Sequence, residues 1–265
     1  MRDFITCLEF LTRIRFSHRT DWRDEDFSRS VPYFPLVGLV IGAFLGAVNY
    51  ALVMVAAPDF MRAALLILAE IIITGGLMYD GFMDTSDGVF SARSRERMLE
   101  IMKDSHVGSN AVLAVIVLIL LKVSAYLAIY PQLLTPALIA MSVATRTFMV
   151  IFIVNFPYAR KTGIGHMFTM YAKKSYTVIA LALGIGITAL CGVHYLLVMA
   201  VTFVLVFGIA KFLQSQLGGL TGDTYGALTE CGNVLYLLTL IIGGRFLVLS
   251  LIHISEPTRQ AEISY

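Results

Sequence analysis

Residues 109–130 read SNAVLAVIVLILLKVSAYLAIY, and Lys122 is the only charged residue in this run. A helix needs about 20 mostly apolar residues to cross the hydrocarbon core of a bilayer. The run therefore predicts a membrane-spanning helix. Other runs of the same character are 34–57, 60–79, 134–155, 176–193, 195–212 and 232–252. We predict an all-α fold, a polytopic transmembrane helix bundle of about seven spans.

The composition of the whole chain also indicates a membrane protein. Of the 265 residues, 58% are hydrophobic and 14% are charged, and the mean hydropathy is +0.79. Soluble domains carry roughly 25% charged residues, so this chain has too few charges to cover a soluble globule. The same composition excludes disordered, fibrous and disulfide-stabilised classes. A net charge of +2 does not indicate a nucleic-acid partner.

A single domain accounts for most of the chain. We expect residues 1–252 to form one integral membrane domain that begins with an interfacial arm over residues 1–31. Apolar positions in that arm, such as Phe4 and Leu8, are followed by a polar stretch. Residues 253–265 are polar, show no periodicity and resemble translated adapter sequence. We therefore expect this tail to be non-native.

The basic residues indicate which side of the membrane each segment faces. Six lie in the arm, and four lie in each of the segments 80–108 and 156–175. The connections near 58–59, 131–133 and 193–195 carry none. Cytoplasmic loops carry an excess of Lys and Arg. With seven spans, all three basic segments fall on one side, and we predict that this side is the cytoplasm.

Three aspartates form an acidic stripe at the end of the second predicted span. Asp80, Asp84 and Asp87 are spaced i, i+4 and i+7, so they share one face of a helix. Like charges at this spacing repel, and a divalent cation would relieve the repulsion. Mg²⁺ is typically held by one or two carboxylates together with substrate phosphates. The stripe therefore predicts a Mg²⁺ site; the alternative is a solvated acidic helix end.

A second set of polar residues follows before the third span. Asp104 is a candidate for a fourth metal ligand or for a general base. Arg93 and Lys103 are candidates for binding phosphate, because both are cations beside the acidic stripe.

Another polar cluster, residues 218–230, precedes the last predicted span on the same side. Asp223 and Glu230 are seven residues apart and would share a helical face. Glycines around them permit close approach of backbones. We interpret the cluster as part of a site, and the alternative is an ordinary interhelical turn.

Four ionisable residues lie inside the predicted spans: Glu70, Lys122, Arg146 and Arg245. Such residues are functional candidates by default, since a charge at membrane depth needs a partner. For Lys122 the structural alternative is an internal ion pair, with Glu70 as the candidate partner. We predict that Arg146 faces a cavity open to the cytoplasm near the metal site. The competing hypothesis is a purely structural pair between Arg146 and Glu70.

Together these segments resemble a known family. Residues 80–108, DGFMDTSDGVFSARSRERMLEIMKDSHVG, closely resemble the signature of bacterial cobalamin synthases, the adenosylcobinamide-GDP ribazoletransferases. Weaker similarities occur in the same order along the chain: EFLTRIRF at 9–16, YFPLVGLVIGAFLG at 33–46, Arg146, and LGGLTGDTYGALTE at 217–230. Phe82 and Met83 are larger than the family pattern leads us to expect, but the carboxylates are intact.

The resemblance implies a Mg²⁺-dependent transferase in the bacterial inner membrane, with its active site at the cytoplasmic face. Such an enzyme transfers the adenosylcobinamide-phosphate group from adenosylcobinamide-GDP to α-ribazole or α-ribazole 5′-phosphate. GMP is released, late in assembly of the vitamin B12 nucleotide loop. The implied partners are these substrates and the lipid bilayer. The phosphorylation of the acceptor, the number of metal ions and any homo-oligomer stay open.

The resemblance also suggests roles for the site residues. The expected metal ligands are Asp80, Asp84, Asp87 and Asp104. The expected catalytic residues are Asp104, as the base, with Arg93 and Lys103. The expected substrate-binding residues are Arg146, Asp223 and Glu230.

Two other functions are the alternatives. The D-x-x-D-G pattern at 84–88, followed by Ala-Arg at 92–93, is similar to that of the CDP-alcohol phosphotransferases. This chain has one extra residue before Ala-Arg and lacks the later G-x-x-x-D-x-x-x-D run. A transporter would place its acidic residues near the bilayer midplane, whereas the acidic stripe lies at a span boundary.

Overall fold

The computed structural model describes residues 2–16, 23–160 and 163–261, without side chains at Asp24, Ile164 and beyond Gly244. Arg19 and Lys161, counted above among the basic residues, and the side chain of Arg245 lie outside this description. The helices in chain order are α1 (Arg2–Leu11), α2 (Asp24–Ser30), α3 (Phe34–Met54), α4 (Asp59–Thr74), α5 (Leu77–Phe90), α6 (Arg95–Ile101), α7 (Ser109–Ala128), α8 (Pro131–Asn155), α9 (Ile164–Met170), α10 (Lys174–Cys191), α11 (His194–Leu217) and α12 (Gly222–Ala261). A 3₁₀ turn, Val31–Tyr33, joins α2 to α3.

The long helices form a transmembrane bundle, which confirms the predicted fold class. Among the described residues, six helices are long and apolar enough to cross a membrane: α3, α7, α8, α10, α11 and α12. The pair α4–α5 makes seven if it forms one broken span. The protein is therefore a membrane protein. α8 is the most enclosed of the spans and packs against α3, α10, α11 and α12.

The second predicted span, 60–79, is wrong as a single straight helix. α4 ends at Thr74, and α5 leaves it at an angle of 95°. Gly75 and Gly76 make the break with φ values of +66° and +73°, a left-handed conformation that glycine adopts without strain. Because of this bend, the acidic stripe lies on a helix that turns away from the axis of α4.

The last span begins earlier than the sequence analysis predicted. α12 starts at Gly222 and not near residue 232, and its apolar part extends to Gly244. The segment before it is held by the chain that follows α8. Leu220 N–H donates to the Pro157 carbonyl and Ala159 N–H to the Leu220 carbonyl, each at 2.8 Å. Asp223 and Glu230 therefore lie inside a helix and not in an interhelical turn.

The N-terminal arm folds against the bundle. α1 buries Cys7, Leu8 and Leu11, and the ring of Phe10 lies 4.9 Å from that of Phe168. After α1 the chain crosses the break between α4 and α5, where Arg13 N–H donates to the Ile73 carbonyl at 2.7 Å. The proposed boundaries of the arm and tail stay predictions; the backbone of α12 continues to Ala261.

Candidate active site

The three aspartates of the acidic stripe lie on one helix, α5, as the spacing predicted. Their exposure falls along it: Asp80 is exposed, Asp84 is half-buried and Asp87 is buried. Because their surroundings differ, we expect the three aspartates to have different roles.

Asp87 caps the N-terminus of α7. Its Oδ2 accepts a hydrogen bond from Gly108 N–H at 2.6 Å, and its Oδ1 accepts one from Ala111 N–H at 2.9 Å. The first N–H groups of a helix have no partner within the helix, and a negative charge there is favourable. This structural role is not visible in the spacing of the three aspartates. Each oxygen keeps a second lone pair, so metal binding by Asp87 stays a prediction.

Two glycines allow α5 and α12 to cross closely. A Cβ on Gly81 would lie 2.6 Å from the Asp223 carbonyl oxygen, and one on Gly226 would lie 3.0 Å from the Met78 carbonyl oxygen. A real Cβ is not found at the first distance, so the crossing requires glycine. The crossing brings Asp223 into electrostatic range of Asp80 and Asp84. We call Asp80, Asp84 and Asp223 the acid cluster.

Arg160 is the cation of this site. Its Nη1 lies 2.8 Å from Asp223 Oδ2, and its side chain is 13% exposed. Its Nε and Nη2 atoms are buried and have no hydrogen-bond partner among the described residues. The pairing of residues 157–159 with Leu220 places Arg160 there. From the sequence Arg160 was predicted only to be a basic loop residue, because no local pattern shows that pairing.

Two cavities border the acid cluster. The first, of about 410 Å³, lies where the chain after α1 crosses the start of α5. We call it the arginine cavity, and its polar lining includes Thr12, Arg13, Arg15, Thr74 and Asp80. The second, of about 290 Å³, we call the aromatic cavity; it is lined by Phe10, Phe34, Tyr158, Phe168 and Tyr225, with Asp80, Arg160 and Asp223. Asp80 lines both cavities.

The three predicted catalytic residues lie around α6. Arg93, Lys103 and Asp104 are all exposed, and they line neither cavity. Asp104 Oδ1 lies 2.6 Å from His106 Nδ1. This hydrogen bond lowers the pKa of Asp104 and raises that of His106. Their roles in catalysis stay predictions, and among the described residues no hydrogen bond or salt bridge joins them to the acid cluster.

A buried ion network lies deeper in the bundle. Lys122 Nζ lies 2.7 Å from Glu70 Oε2 and 2.6 Å from Glu230 Oε2, and it donates to Tyr79 Oη at 2.9 Å. The predicted pairing of Lys122 with Glu70 is confirmed. Glu230, predicted to share a face with Asp223 at the site, instead pairs with Lys122. The network joins α4, α5, α7 and α12.

Arg146 belongs to the edge of the same network. It is 1% exposed, and its Nη1 donates to Thr145 Oγ1 at 3.1 Å. Thr145 donates to Asn233 at 3.1 Å, and Asn233 donates to Glu70 at 3.3 Å. Within the described residues Arg146 forms no salt bridge with Glu70 and lines neither cavity. Its substrate-binding role, like that of Glu230, stays a prediction.

The acid cluster has the donor chemistry that Mg²⁺ prefers. Carboxylate oxygens are hard ligands, and Mg²⁺ usually takes one or two of them and completes its shell with water and phosphate. Across residues 2–16, 23–160 and 163–261, no three His, Cys, Asp or Glu side chains already form a metal cage. The donor set of the cluster fits Mg²⁺ that keeps water and phosphate oxygens in its shell.

Comparison with known proteins identifies the family. The family model described as cobalamin-5-phosphate synthase matches residues 3–241. This chain belongs to the cobalamin-5-phosphate synthase family. The match takes in the acidic stripe on α5, the residues of both cavities and the start of α12, so the site described above lies within the family's shared region.

Curated relatives are similar in sequence to this chain over nearly their whole length. An adenosylcobinamide-GDP ribazoletransferase of Desulfitobacterium hafniense (strain Y51) is 39% identical over 251 residues, 90% of this chain and 96% of the relative. An adenosylcobinamide-GDP ribazoletransferase of Clostridium novyi (strain NT) is 34% identical, and the alignment covers 91% of this chain and 97% of the relative. An adenosylcobinamide-GDP ribazoletransferase of Escherichia coli (strain K12 / DH10B) is 38% identical, and the alignment covers 90% of this chain and 98% of the relative. No solved structure matches the chain.

Proposed function

We propose that this chain is an adenosylcobinamide-GDP ribazoletransferase. It joins the adenosylcobinamide-phosphate group of adenosylcobinamide-GDP to α-ribazole or α-ribazole 5′-phosphate and releases GMP. The observation that carries the proposal is the family match over residues 3–241, which includes an acid cluster with two adjoining cavities. A two-substrate transfer needs such an arrangement, because both reactants must reach one set of charged groups.

The transfer breaks one phosphoanhydride bond and forms one phosphodiester bond, whether or not the acceptor carries a 5′-phosphate. A ribose hydroxyl of the acceptor attacks the phosphorus on the corrinoid side, and its proton passes to a base. GMP leaves with the bridging oxygen. In such a reaction the protein mainly positions the reactants and balances charge.

Asp80 is the best-placed proton acceptor, because it is exposed and borders both cavities. Asp104, the base suggested by the sequence, borders neither. Asp80, Asp84 and Asp223 would hold Mg²⁺, with Asp87 and Asp104 as the further ligands predicted from the sequence. When bound, the ion neutralises charge on the diphosphate. Arg160 holds Asp223 in place, and its Nε and Nη2 atoms can donate to an anionic or polar group.

The working face of the enzyme is the cytoplasmic side of the bacterial inner membrane. Support comes from the excess of basic residues in the three segments that share that side. In a background without Cys7, Cys191 and Cys231, a cysteine at Arg93 should react only with reagent from the cytoplasm. A cysteine at Tyr130, which is 76% exposed between α7 and α8, is the control for the opposite side. Periplasmic labelling at position 93 would contradict the orientation.

The donor and acceptor distinguish this function from phospholipid synthesis. Purified protein in nanodiscs with Mg²⁺ should release GMP from adenosylcobinamide-GDP when α-ribazole or its 5′-phosphate is present. With CDP-diacylglycerol and an alcohol acceptor it should release no CMP. Release of CMP without GMP would favour a CDP-alcohol phosphotransferase.

A further inference from the structure

Asp80 separates two cavities with different linings. The arginine cavity and the aromatic cavity share Asp80, Phe10 and Leu77, and otherwise have different walls. A reaction between two substrates at Asp80 could use one cavity for each. The linings indicate which substrate each would take.

The arginine cavity suits a diphosphate. Arg13 and Arg15 are both exposed and both line it, and Asp80 is the only acidic residue among the described residues of its lining. The side chain of Arg13 packs directly on Gly75, where a Cβ would overlap its guanidinium. Arg13 Nη2 lies 3.5 Å from the Gly75 carbonyl oxygen, a weak contact that a phosphate can replace. Gly76, beside it, has open space where a side chain would be.

Hydrogen bonds hold the segment that carries Arg13 and Arg15. Arg13 N–H is tied to the Ile73 carbonyl at 2.7 Å, and Arg15 donates to the Glu9 carbonyl. These bonds hold the chain after α1 across the start of α5. Both arginines therefore line the same cavity as Asp80, the first aspartate of the acidic stripe.

The aromatic cavity suits a flat nucleoside. Five aromatic rings line it, and such faces stack on a planar base. The polar groups in its wall are Asp80, Arg160, Asp223 and the two tyrosine hydroxyls. Tyr225 Oη is buried without a partner among the described residues, as are Nε and Nη2 of Arg160. Buried polar atoms in native structures are normally satisfied, so these three indicate a polar ligand in this cavity.

We propose that the two cavities are separate substrate subsites that meet at Asp80. The arginine cavity binds the diphosphate of the donor. The aromatic cavity binds the benzimidazole nucleoside, with Arg160 and Tyr225 contacting its polar groups. Arg13, Arg15, Arg160 and Tyr225 become substrate-binding residues of this chain. The inference rests on the proposed function and adds to it which residues select each substrate.

Two-substrate kinetics test the assignment. Arg13→Gln with Arg15→Gln should raise KM for adenosylcobinamide-GDP roughly tenfold or more, since charge-assisted hydrogen bonds are lost, with the acceptor KM within about twofold of the unmodified value. Arg160→Gln and Tyr225→Phe should raise KM for the acceptor and leave KM for adenosylcobinamide-GDP within about twofold of the unmodified value. Arg97→Gln, which removes an exposed pair with Glu100 on α6, is the matched control and should change neither. The unchanged KM in each variant also shows that it is folded.

Two results would overturn the proposal. One is that both sets of variants raise the KM of the same substrate. The other is that Arg13→Gln with Arg15→Gln changes neither the donor KM nor the acceptor KM. An anionic lipid headgroup has the same chemistry as a phosphate ligand, so the assay is repeated in nanodiscs of pure phosphatidylcholine. A donor effect that disappears there would assign the arginines to lipid and contradict the proposal.

Failure of the proposed function would be visible separately, as no GMP release by the unmodified chain. In that case, direct binding of GMP, measured by calorimetry without acceptor, still tests the arginine cavity. We expect binding by the unmodified chain and by Arg97→Gln, and at least tenfold weaker binding by the double arginine variant. Equal affinity in all three would refute the donor subsite.

Discussion

Lys122 Nζ lies 2.6 Å from Glu230 Oε2, and both side chains are fully buried in the bundle. Glu70, on a third helix, contacts the same ammonium group at 2.7 Å. A buried charge that loses its partner is costly, because water cannot replace the partner. This network therefore fixes the relative positions of α4, α7 and α12, and with them the start of α5 through Tyr79.

The first prediction concerns this network. Lys122→Met should lower the free energy of unfolding by about 3–5 kcal/mol, because it leaves two neighbouring buried carboxylates without the ammonium group that forms their salt bridges. The measurement is thermal unfolding of the protein in detergent. Lys211→Met is the control, since Lys211 is exposed on α11 and donates to Gln214. Equal melting temperatures for the two variants would contradict the structural role of the network.

The second prediction separates Asp87 from the rest of the acidic stripe. Asp87→Asn should cost about 0.5–2 kcal/mol of stability, since an amide cannot accept both backbone N–H groups at the start of α7. Thermal unfolding measures the loss. Asp84→Asn is the comparison, because Asp84 has no such bonds and its replacement relieves repulsion from Asp80 and Asp223. If Asp87→Asn is as stable as the unmodified protein, the capping role is wrong.

The third prediction compares two candidates for the base. Asp80→Asn should reduce kcat at least 100-fold, whereas Asp104→Asn should reduce it less than tenfold. The reason is that Asp80 borders both cavities and Asp104 neither. Initial rates of GMP release measure both. A larger loss from Asp104→Asn would favour the base suggested by the sequence.

The fourth prediction is a pH dependence. The carboxylate of Asp104 stabilises protonated His106, so the pKa of His106 is raised and that of Asp104 is lowered. Any stability from this pair is lost as pH rises through the raised pKa of His106, and also as pH falls through the lowered pKa of Asp104. NMR titration of labelled histidine should show His106 titrating above its usual range. Asp104→Asn should lower that pKa; an unchanged titration would mean that the pair does not form.

The spans were predictable because hydropathy depends on composition alone. The runs that became α3, α7, α8, α10 and α11 contain enough apolar residues to identify them without tertiary information. The Lys122–Glu70 pair was predictable as well, since a charge inside a span requires a partner. Its second partner, Glu230, was missed because the last span was predicted to begin at residue 232, which left Glu230 in the polar cluster before the span.

The break at Gly75–Gly76 and the role of Arg160 were not predicted. A hydropathy window does not register a left-handed backbone, and the Gly-Gly pair was the only local signal of a turn. Arg160 reaches Asp223 because residues 157–159 pair with Leu220, a contact between segments far apart in the chain. Arg13 and Arg15 could have been identified as candidate site residues from the sequence, because both lie in the family-like block EFLTRIRF at 9–16.

The central claim is that the acid cluster catalyses transfer from adenosylcobinamide-GDP to a ribazole acceptor. The most direct measurement is the yield of GMP and of the cobalamin product by chromatography, for the unmodified protein and for Asp84→Asn. We predict equal amounts of the two products, strictly dependent on the acceptor. We also predict a rate at least 100-fold lower for Asp84→Asn, equivalent to about 2.7 kcal/mol of transition-state stabilisation. GMP release without acceptor, or a normal rate in folded Asp84→Asn, would contradict the account.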